Sequence, residues 1–299
     1  MKFVNPSVEI WEQDVTNPDT LVEAIWAHIA RCVRVCYQVD KPKNNETEEE
    51  YVKRVIFRNP DERLANHYSV LEHGAVYLKV PCHTDIGIDE DLIGKLWHNK
   101  YTKRKLVDED DVSYWYFSTN LRVIIENKIP SAFNFMVPFN SQHHYRRVTV
   151  SFITNIGVTR EANRHRVNSP SEESTRYCNY ASKKKGEHIN YIVPAWSSEG
   201  EIWDAVRNRD LNSPIGIYLE ALSVCEKAYK SLISYGWKPE QAREVLPLAT
   251  KSQLIHTAFV DDWRDFLKLR ADAISGSVHP NMLVVAKPLK EAFINRKYI

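Results

Sequence analysis

Glycine is scarce in this chain: nine in 299 residues, with Gly87 and Gly94 the closest pair, seven positions apart. Neither a G-x-G-x-x-G turn nor a P-loop can be written with that spacing, so a nucleotide bound here must be held by side chains. Cysteine is sparse too. Cys32, Cys36, Cys82, Cys178 and Cys225 are odd in number and contain no C-x-x-C pair, which predicts reduced thiols that pack as small apolar groups. No window approaches 18 uninterrupted apolar residues, and "MKFVNPSVEIWEQD" turns acidic early, so neither a membrane span nor a signal peptide is expected and the cytoplasm is the predicted location. Charge of one sign is also lacking. A net +1 excludes a global field that would gather nucleic acid or membrane, and anion binding must come from local clusters.

Apolar content of 43% is ample for a core. Helical spacing runs through positions 21, 25, 29, 32 and 36, and a charged stretch from 42 to 66 reads as surface helix and loop. "AVYLKV" (75–80), "YWYFSTN" (114–120) and "RRVTVSFITNI" (146–156) read as strands, the last with Val148, Val150 and Phe152 on one face, and a short apolar helix is expected at 121–126. The C-terminal third reads as helical. "SPIGIYLEALSVCEKAYKSLISYG" is bracketed by Ser-Pro and Gly236, "PEQAREVL" stops at Pro247, "SQLIHTAFVDDWRDFLKLRAD" carries helical spacing through Phe259, Trp263, Phe266 and Leu269, and a last helix from Pro280 contains Pro288. The predicted class is α+β: a small antiparallel sheet packed against helices.

One stretch stands apart. "RHRVNSPSEESTRY" (164–177) concentrates guanidinium and hydroxyl groups directly after a predicted strand. A helix entrance accounts for Ser169-Pro170-Ser171-Glu172 as a capping box. It does not account for Arg160, Arg164, Arg166 and Arg176 around it. Guanidinium forks match phosphate and carboxylate geometry, so an anion pocket is the functional reading. An RNA patch is disfavoured by Glu161, Glu172 and Glu173 among the cations, and no nucleic-acid partner is expected.

Arg164, His165, Arg166, Ser169, Ser171, Glu172, Ser174, Arg176 and Tyr177 together resemble the signature of flavin-dependent thymidylate synthases. In the family's order, "HYSVLEH" (67–73) resembles its flavin-contacting element, "AREVLPL" (242–248) its A-R-x-V-L-P segment, and "DFLKLRAD" (265–272) its F-L-x-L-R-A segment; "RVCY" (34–37) is similar to an early helix. The resemblance runs from about residue 20 to 295. It departs at Glu161, where the family has glutamine, and at Phe259, Val260 and Asp261, where many members have N-A-R.

The resemblance implies methylation of dUMP to dTMP, with methylenetetrahydrofolate as carbon donor and FAD, reduced by NADPH, as hydride source. It implies one domain over 1–299 with an insertion near 81–146, and a homotetramer with shared sites. Arg270 and Ser174 would be catalytic, with Arg270 stabilising negative charge on the uracil ring and Ser174 orienting the nucleotide. His67, Ser69, Arg164, His165, Arg166 and Glu172 would hold FAD. Glu161, Arg164, Glu172, Glu173, Ser174, Thr175, Arg176, Arg243 and Arg270 would hold dUMP. No metal is implied. Each residue taken alone has a plainer reading: His67 and His73 as interior histidines, Arg243 at a helix terminus, Arg270 paired with Asp265 or Asp272. A non-catalytic nucleotide- or RNA-binding protein on the same fold is the alternative.

Overall fold

A computed structural model describes residues 1–37, 45–57, 67–82, 90–182, 188–274 and 276–299. The remainder of the charged 42–66 stretch lies outside the described residues. Strands β1 (Lys2–Val4) and β2 (Ser7–Trp11) precede helix α1 (Leu21–Tyr37), and α2 (Glu48–Ile56) opens with a Thr47/Glu50 capping box. Tyr51, Val52, Val55 and Ile56 turn inward from α2 onto Ile25, Ile29 and Val33 of α1. The 42–66 stretch is therefore half core where it is described, and not only surface.

Beyond α2 a 3-10 turn (Tyr68–His73) leads into β3 (Ala75–Pro81), followed by α3 (Glu90–Trp97), β4 (Lys103–Glu109), β5 (Val112–Asn120) and α4 (Leu121–Glu126). Order β3-β5-β4 makes an antiparallel sheet. The basic run "KRK" is thus an edge strand that sequence reading passed over. Then come β6 (Arg147–Asn155), α5 (Ile156–Ala162), β7 (Ser169–Glu172), β8 (Asn190–Ile192), α6 (Glu199–Asn208), α7 (Pro214–Ser234), α8 (Pro239–Ala242), β9 (Lys251–Phe259), α9 (Val260–Arg270) and α10 (Pro280–Asn295). Helix α7 starts at the Ser213 cap and ends before Gly236 (φ +92°), as its flanking residues predict. Helix α10 runs through Pro288. Among the described residues no helix is long and apolar enough to cross a membrane.

The central sheet, β2-β6-β9-β7, is antiparallel throughout and two-faced. Val148, Val150 and Phe152 of β6 pack with Leu254 and Ala258 of β9 against Trp263 and Phe266 of α9 and Leu289 and Phe293 of α10. The opposite face carries Thr149, Ser151 and Thr257, all buried. A separate parallel pair, β1-β8, packs with α6 and α7. The class is α+β.

Two expectations fail locally. Lys251–Phe259 is a strand, and helical geometry begins only at Val260. β9 is a central strand buried on both faces, so its burial is nearly continuous and the period-2 alternation that would have betrayed it is absent. Ser169–Glu172 is likewise a strand, not a helix entrance. β7 lies at the sheet edge, which tolerates Pro170, and the Ser171 hydroxyl meets His73 instead of a helix amide.

Candidate functional site

Three segments that lie far apart in sequence converge where β6 gives way to α5. Thr159 and Arg160 come from α5, Glu172 to Arg176 from the end of β7, and Arg243 to Leu248 from the turn after α8; together they enclose a cavity of about 490 Å3. Six predicted substrate residues line it: Glu172, Glu173, Ser174, Thr175, Arg176 and Arg243. The wall of this cavity is fixed by backbone bonds. Ser174 N–H donates to Cys36 C=O (3.1 Å) and Glu173 N–H to Gln253 C=O (2.8 Å), tying the loop to α1 and β9.

Side chains along this wall differ in how far they are committed. Glu173 is buried and receives Lys251 Nζ at 2.7 Å, with Tyr180 OH at 3.5 Å. Its charge is neutralised inside the protein, which fits a supporting role better than ligand contact. Glu172 accepts from Ser252 Oγ (2.9 Å) and Asn163 Nδ2 (3.2 Å). Ser174 Oγ accepts the Arg176 N–H at 3.3 Å, leaving the hydroxyl proton for a ligand. Among the described residues no histidine or carboxylate hydrogen-bonds that hydroxyl, so it has no base to make it a nucleophile. Arg243 Nη1 donates to Thr175 Oγ1 (3.3 Å), and Arg176 is exposed with Glu240 no nearer than 3.9 Å. Arg243 does sit at the C-terminus of α8, as its plainer reading has it, and also faces the cavity.

A second group forms on the far side of α5. Arg270, the last residue of α9, donates from Nε to His165 Nε2 (3.1 Å) and from Nη2 to the Glu161 carbonyl (3.1 Å), with Nη1 3.4 Å from the Glu161 carboxylate. Its partner is therefore neither Asp265, which pairs with Lys268, nor Asp272, which pairs with Lys290. Burial and the adjacent guanidinium pull the His165 pKa down to about 4. His165 is thus neutral at pH 7, and because Nε2 accepts, its proton sits on Nδ1. Arg164 and Arg166 flank it on an exposed turn, with no hydrogen bond or ion pair from either guanidinium among the described residues.

Behind both groups lies a buried polar chain. His28 Nε2 meets Thr149 Oγ1 (2.8 Å), Thr149 meets Thr257 Oγ1 (2.7 Å), Thr257 meets His73 Nδ1 (2.7 Å), and His73 Nε2 meets Ser171 Oγ (2.8 Å). His73 is an interior histidine whose two nitrogens are both satisfied, and burial holds its pKa well below the ordinary value. His67 is not interior: it and Ser69 are exposed at the start of the 3-10 turn. No hydrogen bond joins either to Arg164, His165 or Arg166 among the described residues. Phe259 is buried and Asp261 pairs with Lys103 and Arg264, so the segment that departs from N-A-R is committed internally.

Sequence reasoning missed Lys251, which neutralises Glu173, and His256, held between Asn163 (2.9 Å) and Asn168 (3.1 Å). Neither stands near a motif that would mark it. Among the described residues no cluster of His, Cys, Asp and Glu is placed to hold a metal ion, and all five cysteines are unpaired, Cys32 and Cys178 buried.

Known proteins share this region. Residues 141–286 match the model of the thymidylate synthase complementing protein family. A flavin-dependent thymidylate synthase of Pseudothermotoga lettingae is 32% identical over 151 residues, 48% of this chain and 64% of that protein. Its counterpart in Kosmotoga olearia is 31% identical over 152 residues, 48% of this chain and 65% of that one. The chain thus spans somewhat less than two thirds of the length of these relatives. Among solved structures, a UMP/dUMP methylase from Streptomyces cacaoi bound with 5-Br dUMP aligns over 50% of this chain and 67% of its own at 23% identity, but with a TM-score of 0.38 the overlap is too partial to bear on the site. The matched segment contains the whole 164–177 signature, Arg243 and Arg270, and residues 141–286 belong to the thymidylate synthase complementing protein family.

Proposed function

We propose that the protein methylates dUMP to dTMP, with methylenetetrahydrofolate as one-carbon donor and reduced FAD as hydride source. The observation that carries this is the cavity where Ser174, Arg176 and Arg243 meet beside the Arg270–His165–Glu161 group. Two under-committed guanidinium groups and a free hydroxyl proton suit a phosphate, which needs permanent charge and directed donors. Thr175 holds Arg243, and Glu172 braces the loop through Ser252 and Asn163.

Arg270 has the opposite task. Its guanidinium is fixed by Glu161 and His165, so it meets a pyrimidine ring already oriented. Negative charge developing on the ring is stabilised there without reorganisation, which is the condition for electrostatic catalysis. Keeping His165 neutral matters, because a second cation would compete with Arg270 for the same anion. Glu161, standing where relatives of this type have glutamine, holds Arg270 through both its carboxylate and its carbonyl.

Arg164 and Arg166, exposed and unpaired among the described residues, fit the phosphates of FAD; His165, Glu172, His67 and Ser69 would complete its frame. Bound there, FAD would supply the hydride that turns the transferred one-carbon unit into a methyl group. NADPH would reduce it. His67 and Ser69 lie apart from the arginine turn, which fits a homotetramer whose sites draw on more than one subunit. We further propose a single domain over 1–299 with an insertion at about 81–146, acting in the cytoplasm.

The test is optical. Purified protein should show a stoichiometric flavin spectrum that shifts on adding dUMP. Protein that stays colourless after reconstitution with FAD, while retaining RNA in a gel-shift assay, would favour the non-catalytic alternative.

A further inference from the structure

A second cavity, of about 350 Å3, adjoins the nucleotide pocket and has no part in the roles given so far. Arg160 and Leu248 line both, so a single pair of side chains separates them. Its walls are aromatic. Trp196 stands 64% exposed, edge-on to His279 at 5.8 Å, with Tyr218 nearby. Trp196 is exposed but well anchored: Ala195 N–H donates to Asn281 Oδ1 (2.7 Å) and Ser197 N–H to Pro194 C=O (3.0 Å). A large apolar ring held in water by a fixed turn is an arrangement that a ligand completes. Glu161, the residue that holds Arg270, also lines this cavity. The Arg160 guanidinium is exposed and has no hydrogen bond or ion pair among the described residues.

We propose that this cavity is a subsite for a planar heteroaromatic ring bearing a negative charge, stacked against Trp196 with its anion on Arg160. Stacking and apolar burial favour a flat ring over an aliphatic chain, and the unpaired guanidinium selects for an anion. The position gives the subsite its purpose. A group transfer between two rings requires both to be held together, and a ring here lies one residue pair away from the nucleotide and beside the Glu161–Arg270 contact. The inference rests on the nucleotide reading of the neighbouring pocket. Two ligands carry the chemistry, the pterin of a folate and the isoalloxazine of a flavin.

Titrating wild-type and Trp196→Ala protein with folic acid, FAD and dUMP separates the possibilities, with calorimetry for affinity and circular dichroism for folding. We expect Trp196→Ala to bind folic acid or FAD at least about tenfold more weakly while dUMP affinity stays within about twofold. Whichever ring loses affinity identifies the source. Arg160→Gln should weaken the same ring by several-fold. Unchanged affinity for both rings in a folded Trp196→Ala variant overturns the proposal, even if that variant changes its oligomeric state. So does wild-type protein that binds dUMP but neither ring. Failure of wild-type protein to bind dUMP would instead strike the reading of the nucleotide pocket.

Discussion

The interior and the rim of the site follow opposite rules. Inside, Ser171, His73, Thr257, Thr149 and His28 form an unbroken chain of hydrogen bonds, and Glu173 is closed off by Lys251. At the rim, Arg160, Arg164 and Arg166 have no partner among the described residues and Arg176 has only a distant one. Residues adjacent in sequence fall on both sides of this divide. The difference teaches that the 164–177 stretch does two jobs: buried members hold β7 in register, while exposed arginines wait for an anion. A buried polar group without a partner is destabilising, whereas an exposed guanidinium stays hydrated at little cost.

The largest expected effect breaks the interior. Burial holds His28 at a pKa of about 4 and His256 at about 3, and lowers His144 to about 4. Each is neutral in the folded protein but titrates near 6.5 when unfolded, so the unfolded chain binds more protons at acidic pH. Stability is therefore fully present above about pH 6.5 and is lost as pH falls toward 4, by up to about 1.4 kcal/mol per histidine per pH unit. Melting curves from pH 7.5 to 4.5 should fall steeply below 6.5; a flat profile would mean these histidines are not buried as described.

At the boundary, Arg270→Ala should lower turnover at least about tenfold, or about 1.4 kcal/mol of transition-state stabilisation, with a smaller change in melting. Near-normal turnover would remove Arg270 from the chemistry. The smallest structural effect belongs to the rim. Arg164→Ala should leave stability within about 0.5 kcal/mol of wild type while lowering flavin content. If it melts early and keeps its flavin, then the rim arginine is structural and the contrast fails.

Much of this was legible in sequence, and what was not has specific causes. Helix α1, strands β3, β5 and β6 and helix α7 announce themselves through one-sided periodicity and caps. β9 did not, because both of its faces are covered and its apolar run joins α9 without a break. Ser169-Pro170-Ser171-Glu172 satisfies the helix-cap pattern locally, yet pairing with β9 and the His73 contact override it. For the site, the signature located Ser174, Arg176, Arg243 and Arg270, since motif spacing survives folding. Arg270's partners were not legible: Glu161 and His165 lie more than a hundred positions away, whereas Asp265 and Asp272 are local. Lys251 and Trp196 had no signal at all, being single residues brought in by the fold.

The central claim is that the nucleotide is methylated with hydride from flavin, and the fate of the folate tests it most directly. In an anaerobic single turnover with NADPH, dUMP and methylenetetrahydrofolate, the carbon unit passes to the nucleotide and hydride from reduced FAD completes the methyl group. The folate then leaves as tetrahydrofolate. Product chromatography should find dTMP and tetrahydrofolate in equal amounts as the flavin reoxidises. Dihydrofolate in stoichiometric yield, or dTMP formed by protein stripped of flavin, would contradict the account.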